Sequence, residues 1–260
     1  MKKEVSLSPD TVTRDLATRL IGQRVIYYPS LTSTMEVARE EAQQGAPEGT
    51  AVIADEQTAG QGRIGRVWLS PRGSIALSII LYPDLIYLPS LIMVASLAVV
   101  HSIEQVTGLK LEIKWPNDIL IAGKKVCGIL VESKVRGNMV DCSIIGIGVN
   151  VNLTPSDLGE FPLPATSLSQ ELGSEVSRLD VVRQLLLEMD RSYLSVLARG
   201  SVYEEWRDRL VTLGRRVTVT WGKARYEGIA ESVDRDGSLL LRRGDGSLTR
   251  IVAGDVTLRG

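Results

Sequence analysis

GQGRIGRVW, residues 60–68, carries the Gly60-x-Gly62-x-x-Gly65 spacing of a dinucleotide-binding fingerprint. Such a fingerprint needs its last glycine to open a helix, because the first helical amides and the helix dipole meet the pyrophosphate. Here Gly65 is followed by RVWLSPRGSIALSIILYP, in which Ser70-Pro71-Arg72-Gly73 is a turn and residues 74–82 are a β-type run. The acidic residue expected about twenty positions further on would fall near Asp84, behind a proline. The context excludes a Rossmann unit. What is left is a pliable loop with two arginines and a tryptophan. Planar guanidinium forks suit carboxylate or phosphate, against the plainer reading of a solvated basic turn.

Working outward, Ser8-Pro9-Asp10 predicts a helix that ends before Gly22, and VIYYPSL (25–31) predicts a strand. Ser33-x-x-Glu36 reads as a capping box for the helix TMEVAREEAQQ, closed by Gly45. An apolar strand at 50–55 leads into the glycine loop. Residues 89–107 predict a helix apolar on several faces and therefore buried, ended by Gly108. Segments 110–115, 119–121, 125–133 and 139–149 then read as an antiparallel meander. After a proline-rich polar loop at 153–165, Ser177-x-x-Asp180 caps a helix over 179–198, and 202–211 is another. From Gly214 the pattern changes to short strands separated by Trp221-Gly222, Asp236-Gly237 and Asp245-Gly246, strong hairpin signals. The expected fold class is α+β: a mixed, largely antiparallel sheet with flanking helices over 1–213, and a small SH3-like β-barrel over 214–260.

A net charge of −1 over 260 residues calls for neither nucleic acid nor an anionic membrane as partner. Any anion must be bound by local clusters. Cys127 and Cys142 are too few for a disulfide framework and are not opposite each other in the predicted 125–133/139–149 hairpin, which points to a reducing, cytoplasmic compartment. The start MKKEVSLSPD lacks an apolar signal core, and the apolar run 85–100 is interrupted by Pro89, so neither secretion nor membrane spanning is expected. The single histidine, His101, lies in a helical apolar stretch. That argues against a Ser-His-Asp triad or a histidine-rich metal site.

Two further clusters join the glycine loop. In LEIKWPNDIL, strand alternation puts Leu111, Ile113 and Trp115 on one face and Lys114 on the other, where the plain expectation is a lysine facing water. The polar turn Pro116-Asn117-Asp118 follows it. In SIIGIGVNVN, Gly146 and Gly148 interrupt a buried strand on the same face, which requires either a ligand lying against the sheet or a bulge. Asn150 ends that strand with a donor and an acceptor.

Together these clusters resemble the biotin protein ligases. The resemblance rests on Leu31-Thr-Ser-Thr34, Gln57-x-x-Gly60-x-Gly62-Arg63-x-Gly65-Arg66-x-Trp68, Lys114-Trp-Pro-Asn-Asp118, Lys125-x-x-Gly128-Ile-Leu-x-Glu132, Gly146-x-Gly148-x-Asn150-x-Asn152 and Ala165-Thr-Ser-Leu168. It covers about 30–170 in the family's order, with 214–260 matching its C-terminal domain.

The resemblance implies a class II synthetase-like catalytic domain that uses ATP and biotin, with Mg²⁺ on the nucleotide, and makes biotinyl-5′-AMP. The acceptor it implies is a lysine of a biotin carboxyl carrier protein, from acetyl-CoA carboxylase or another biotin-dependent carboxylase. It assigns Lys114, Arg63 and Arg66 to catalysis. Ser33, Thr34, Met35, Gln57, Gln61, Gly62, Arg63, Lys114 and Gly128 would face biotin, while Gly60, Arg66, Trp68, Asn117, Lys125 and Asn150 would face the nucleotide, with 153–165 closing over it. Metal ligands are not assigned.

Met35, Gln61 and Ile64 depart from the family's commoner Asn, Arg and charged residue, which bears on affinity and loop ordering. Some members carry an N-terminal DNA-binding module; only about thirty residues precede Ser33 here, so a monofunctional type without operator binding is expected. Members are often homodimers. The alternatives are a lipoate or octanoate ligase-like acyltransferase, and a non-catalytic biotin-binding sensor.

Overall fold

The computed structural model describes residues 6–158 and 164–258. The centre of the 153–165 loop therefore lies outside the described residues, as do residues 1–5 and 259–260.

A seven-stranded sheet has the order β1-β2-β3-β7-β6-β5-β4. Its strands are β1 (Val25–Tyr28), β2 (Ala51–Ala54), β3 (Ser74–Leu81), β4 (Glu112–Lys114), β5 (Asp118–Ile121), β6 (Lys124–Arg136) and β7 (Met139–Asn150). Only β1 and β2 pair in parallel; the other neighbours are antiparallel. The sheet is thus mixed and largely antiparallel, with 110–150 forming the expected meander.

Both faces of the sheet are covered along β3, so its residues are buried on both sides rather than alternately, Ser74 and Ser78 included. All eight residues of β3 are buried. On one face, Ile145, Ile147 and Val149 of β7 join the main core with α3 (Ser90–Thr107) and α5 (Arg178–Leu197). On the other, Ile144 meets Met35 and Ala38 of α2 (Thr34–Gln43) in a smaller cluster with Val52 and Ile80. With a side-chain period of two, Gly146, Gly148 and Asn150 continue along this second face beyond the end of α2. That uncovered part of the sheet is the floor of the site.

Helix α3 is long and apolar enough to cross a membrane by length and composition, and most of it is buried in the core. His101 lies on α3 between Glu188 and Glu205, with Nε2 2.6 Å from the Glu205 carboxylate. The C-terminal part is a five-stranded antiparallel sheet, order β11-β10-β9-β8-β12. Its strands are β8 (Arg216–Trp221), β9 (Ala224–Val233), β10 (Leu239–Arg242), β11 (Leu248–Ile251) and β12 (Asp255–Leu258).

The sequence reading fails in two places. The first helix, α1, covers only Pro9–Thr13 instead of running to Gly22. Beyond it the amides of Arg19, Leu20 and Ile21 turn to the Asp190 carboxylate of α5 at 2.9, 2.8 and 2.8 Å. A carboxylate accepting three amides replaces the helical bonds those groups would otherwise make. The second failure is the capping box. Ser33 is extended at the start of α2 and its side chain makes no cap hydrogen bond. Glu36 accepts from Thr32 and Gln61 instead, and the amide of Thr34 donates to Gln57 Oε1 at 2.8 Å.

Candidate active site

A cavity of about 710 Å³ opens over the uncovered part of the sheet. Its walls come from five places far apart in sequence: the entrance of α2, the glycine loop, the β4–β7 meander, Asp157, Leu158, Pro164 and Ala165 of the 153–165 segment, and β12 of the C-terminal sheet. Arg63, Arg66, Lys114 and Lys125 all line it.

Lys114 does not face water: it is only 7% exposed. Adjacent antiparallel strands put it opposite Asp118 in register, and the Asp118 carboxylate lies 3.8 Å from its Nζ and 2.5 Å from that of Lys125. Burial lowers the Lys114 pKa; Asp118 and Asp255 oppose that shift, while Lys125 and Arg66 add to it. The Arg63 pKa is also lowered, chiefly by burial. Arg63 Nη1 donates to Asn117 Oδ1 at 3.0 Å and to the Gly254 carbonyl at 3.2 Å. Arg66 pairs with Asp255 at 2.5 Å. Four cations thus share two carboxylates. Such a cluster has charge to spare for an anion of two or more charges.

The glycine loop is a tight crossing. Gly60 and Trp68 pair through the Trp68 amide and the Gly60 carbonyl at 2.9 Å, and a Cβ on Gly60 would lie 2.4 Å from the Trp68 carbonyl oxygen. Trp68 then lays its indole on the sheet against Gly128 and Gly148, with Lys125 Nζ 5.3 Å from the ring centroid. The two strand glycines have specific uses. Gly148 makes room for Trp68 and Gly146 for the Met35 thioether. There is no bulge at these positions, since the β3–β7 register is continuous through them. Ser33 Oγ and Trp68 Nε1 are buried without a hydrogen-bond partner.

Residues 27–150 match the biotin/lipoate A/B protein ligase family, and residues 212–259 match the biotin protein ligase C-terminal domain. The bifunctional ligase/repressor BirA of Bacillus subtilis (strain 168) is 39% identical over 99% of this chain and 81% of its own length. The biotin–[acetyl-CoA-carboxylase] ligase of Mycobacterium tuberculosis (strain ATCC 25618 / H37Rv) is 32% identical over 96% of both chains. The chain belongs to the biotin protein ligase family. Among solved structures, the biotin protein ligase from Aquifex aeolicus in complex with biotin and ATP superposes with a TM-score of 0.76 at 28% identity, covering 91% of this chain and 99% of that one.

Seen as a biotin protein ligase, the cavity gathers most of the residues singled out in the sequence. Thr34, Met35, Gln57, Gln61, Gly62, Trp68, Asn117, Gly128 and Asn150 line it together with the four cations. Two do not. Ser33 is fully buried behind the wall, and Gly60 serves the backbone crossing with Trp68. Several others are already engaged. Gln61 is held by Arg39 and Glu36 at 2.8 and 2.9 Å, Asn117 spans Arg63 and the Ile129 carbonyl, and Asn150 donates to the Thr166 carbonyl at 3.0 Å. The sequence reading missed the contribution of β12, where Asp255 and its neighbours form a wall of the cavity. No local motif marks Asp255, because its partner Arg66 lies on a distant loop.

Among the described residues no three His, Cys, Asp or Glu side chains converge on a metal position. Asp118 already pairs with Lys114 and Lys125, and Asp255 with Arg66. That donor set fits Mg²⁺ carried mainly on the oxygens of a nucleotide rather than on a dedicated protein cage.

Proposed function

We propose that this cavity activates biotin with ATP and passes it to a lysine of a biotin-carrying protein substrate. The observation that carries this reading is the convergence of Arg63, Arg66, Lys114 and Lys125 on one cavity whose remaining lining includes apolar side chains such as Met35, Ile129 and Leu130.

The first step joins two anions. A biotin carboxylate oxygen attacks the α-phosphorus of ATP, the bond from that phosphorus to the bridging oxygen breaks, and pyrophosphate leaves with the electron pair. Two like unit charges about 4 Å apart repel by about 4 kcal/mol at an effective dielectric near 20. Buried Lys114, beside Asp118, is placed to hold the carboxylate and an α-phosphoryl oxygen at once. Arg63 and Arg66 add charge from the loop side, where charge develops on the phosphoryl group. When bound, Mg²⁺ offsets triphosphate charge. In the second step the acceptor lysine's neutral amine attacks the acyl carbon, AMP leaves, and one proton is released. No protein nucleophile is required.

The inner end suits an apolar bicyclic ring with an amide-like head. Thr34 donates both its amide and its hydroxyl to Gln57 Oε1 there, and Ser33 Oγ, buried behind the wall, has no hydrogen-bond partner. Met35 and Gly146 set the width of the apolar part. Trp68, Asn117, Lys125 and Asn150 fall to the nucleotide.

The finer reading is a carboxyl carrier protein of acetyl-CoA carboxylase or another biotin-dependent carboxylase as acceptor, a homodimer, cytoplasmic location and no operator DNA. We assign the catalytic unit to 1–213 and the C-terminal unit to 214–260. Pyrophosphate release measured with MgATP and either biotin, lipoate or octanoate tests the substrate class. Release with biotin alone is expected; release with lipoate or octanoate alone would replace the reading by an acyltransferase of the wider family.

A further inference from the structure

The glycine loop is fastened to the C-terminal sheet by two neighbouring residues. Arg63 donates to the carbonyl of Gly254, and Arg66 pairs with the carboxylate of Asp255. Gly254 has φ +150, and a Cβ there would stand 2.7 Å from Val219 Cγ1, so glycine alone lets the chain present that carbonyl. On the loop side, Ile64 holds φ 55 and ψ 42, a left-handed conformation that β-branched residues rarely adopt. Its side chain is 61% exposed and gains no packing in return. The loop shape is therefore sustained by its arginine contacts and by Trp68, not by its own apolar side chains.

Asp255 also stands where an anionic ligand needs Arg66. Its Oδ2 lies 2.5 Å from Arg66 Nη2, and both residues line the cavity. A phosphate that reaches Arg66 must either displace this carboxylate or sit beside a like charge. Arg66 is largely exposed and has room to turn.

We propose that Asp255 is a latch: it holds Arg66 and the glycine loop against the C-terminal sheet and competes with the nucleotide's phosphates for that guanidinium. This rests on the reading of the cavity as an ATP site. Exchange of Arg66 from Asp255 to phosphate makes nucleotide binding the event that releases the loop from β12. It gives the C-terminal sheet a share in gating, and Asp255 the part of a positioning residue.

The test is Asp255→Asn and Asp255→Glu in the full chain, with two readouts. The first is backbone hydrogen exchange over residues 60–68 without nucleotide, and the second is ATP affinity by calorimetry. Asp255→Asn is expected to speed exchange in the loop and to bind ATP about 3- to 5-fold more tightly, the scale of one screened charge contact. The gain should shrink as salt rises. Asp255→Glu should keep wild-type behaviour in both. Unchanged exchange in Asp255→Asn, or ATP binding equal to or weaker than wild type, would overturn the latch. A wild-type protein that binds no ATP marks a failure of the functional reading instead; the exchange measurement, which needs no nucleotide, still decides whether Asp255 holds the loop.

Discussion

Gly148 and Trp68 are in such close contact that a Cβ on Gly148 would stand 2.3 Å from the indole nitrogen Nε1. A strand glycine flanked by Ile147 and Val149 weakens the sheet unless something occupies the missing side chain's place. Here that occupant is an aromatic ring delivered by the glycine loop, so sheet and loop are fitted to each other.

Gly148→Ala is therefore expected to expel the indole rather than unfold the chain, because the loop can yield more easily than a central strand. Overpacking of this kind costs about 1–3 kcal/mol. Tryptophan emission should shift to the red, and the shift should vanish in a Trp68→Phe background. Biotin-dependent pyrophosphate release should fall at least about 10-fold, the scale of a displaced positioning group. Unchanged emission would show that the ring does not depend on the Gly148 bay.

Lys114 has a pKa below the usual lysine value because it is buried, despite the opposing pull of Asp118. Its charge is present below that folded pKa and is lost as pH rises through it. Pyrophosphate release without acceptor should accordingly decline on the alkaline side before an ordinary lysine would titrate. Between the lowered folded pKa and the unfolded one, the unfolded chain binds more protons, so Lys114 makes stability rise with pH in that window. Lys114→Arg should abolish the alkaline decline at a lower absolute rate, and Lys114→Ala should cost about 100-fold or more. An unaltered pH profile in Lys114→Arg would remove Lys114 from the reacting centre.

Asp190 accepts the amides of Arg19, Leu20 and Ile21 and so ties the N-terminal segment to α5. Asp190→Ala leaves these donors without that acceptor and should lower unfolding free energy by about 2–4 kcal/mol. Asp190→Asn, which keeps one acceptor oxygen, should lose less. Urea denaturation followed by circular dichroism measures both. Equal stability of wild type and Asp190→Ala would mean that the segment finds other partners.

Those three amides also mark where reading the sequence stops working. Ser8-Pro9-Asp10 does start a helix, but nothing near residues 14–21 reveals that a carboxylate in α5 will compete for their amides. Ser33 and Glu36 have capping-box spacing, yet the Ser33 side chain makes no cap bond, the Glu36 carboxylate turns to Thr32 and Gln61, and Gln57 accepts the first helical amide, that of Thr34. The same limit applies to Asp255, whose importance depends on Arg66 across the tertiary fold. What local chemistry does encode came through well. The turn after Gly65 excluded a Rossmann helix, alternation placed Gly146, Gly148 and Asn150 on one face, and the Asp-Gly pairs announced the C-terminal hairpins. Lys114 sits between these cases. Alternation assigned its face, but the tertiary surroundings that bury it, Asp118, Lys125, Arg66 and Asp255 among them, are not visible in the local sequence.

The central claim is that cations from the glycine loop and from β4 meet an acid and a nucleotide in one cavity and hand the acid to a protein lysine. Transfer of labelled biotin to a carboxyl carrier domain with MgATP tests it most directly. The account predicts a stable amide label on one lysine of the acceptor, dependent on ATP, and reduced about 100-fold or more in both Lys114→Ala and Arg63→Ala. A label formed equally well by these two variants, or no label from a folded wild-type protein that binds both substrates, would contradict it.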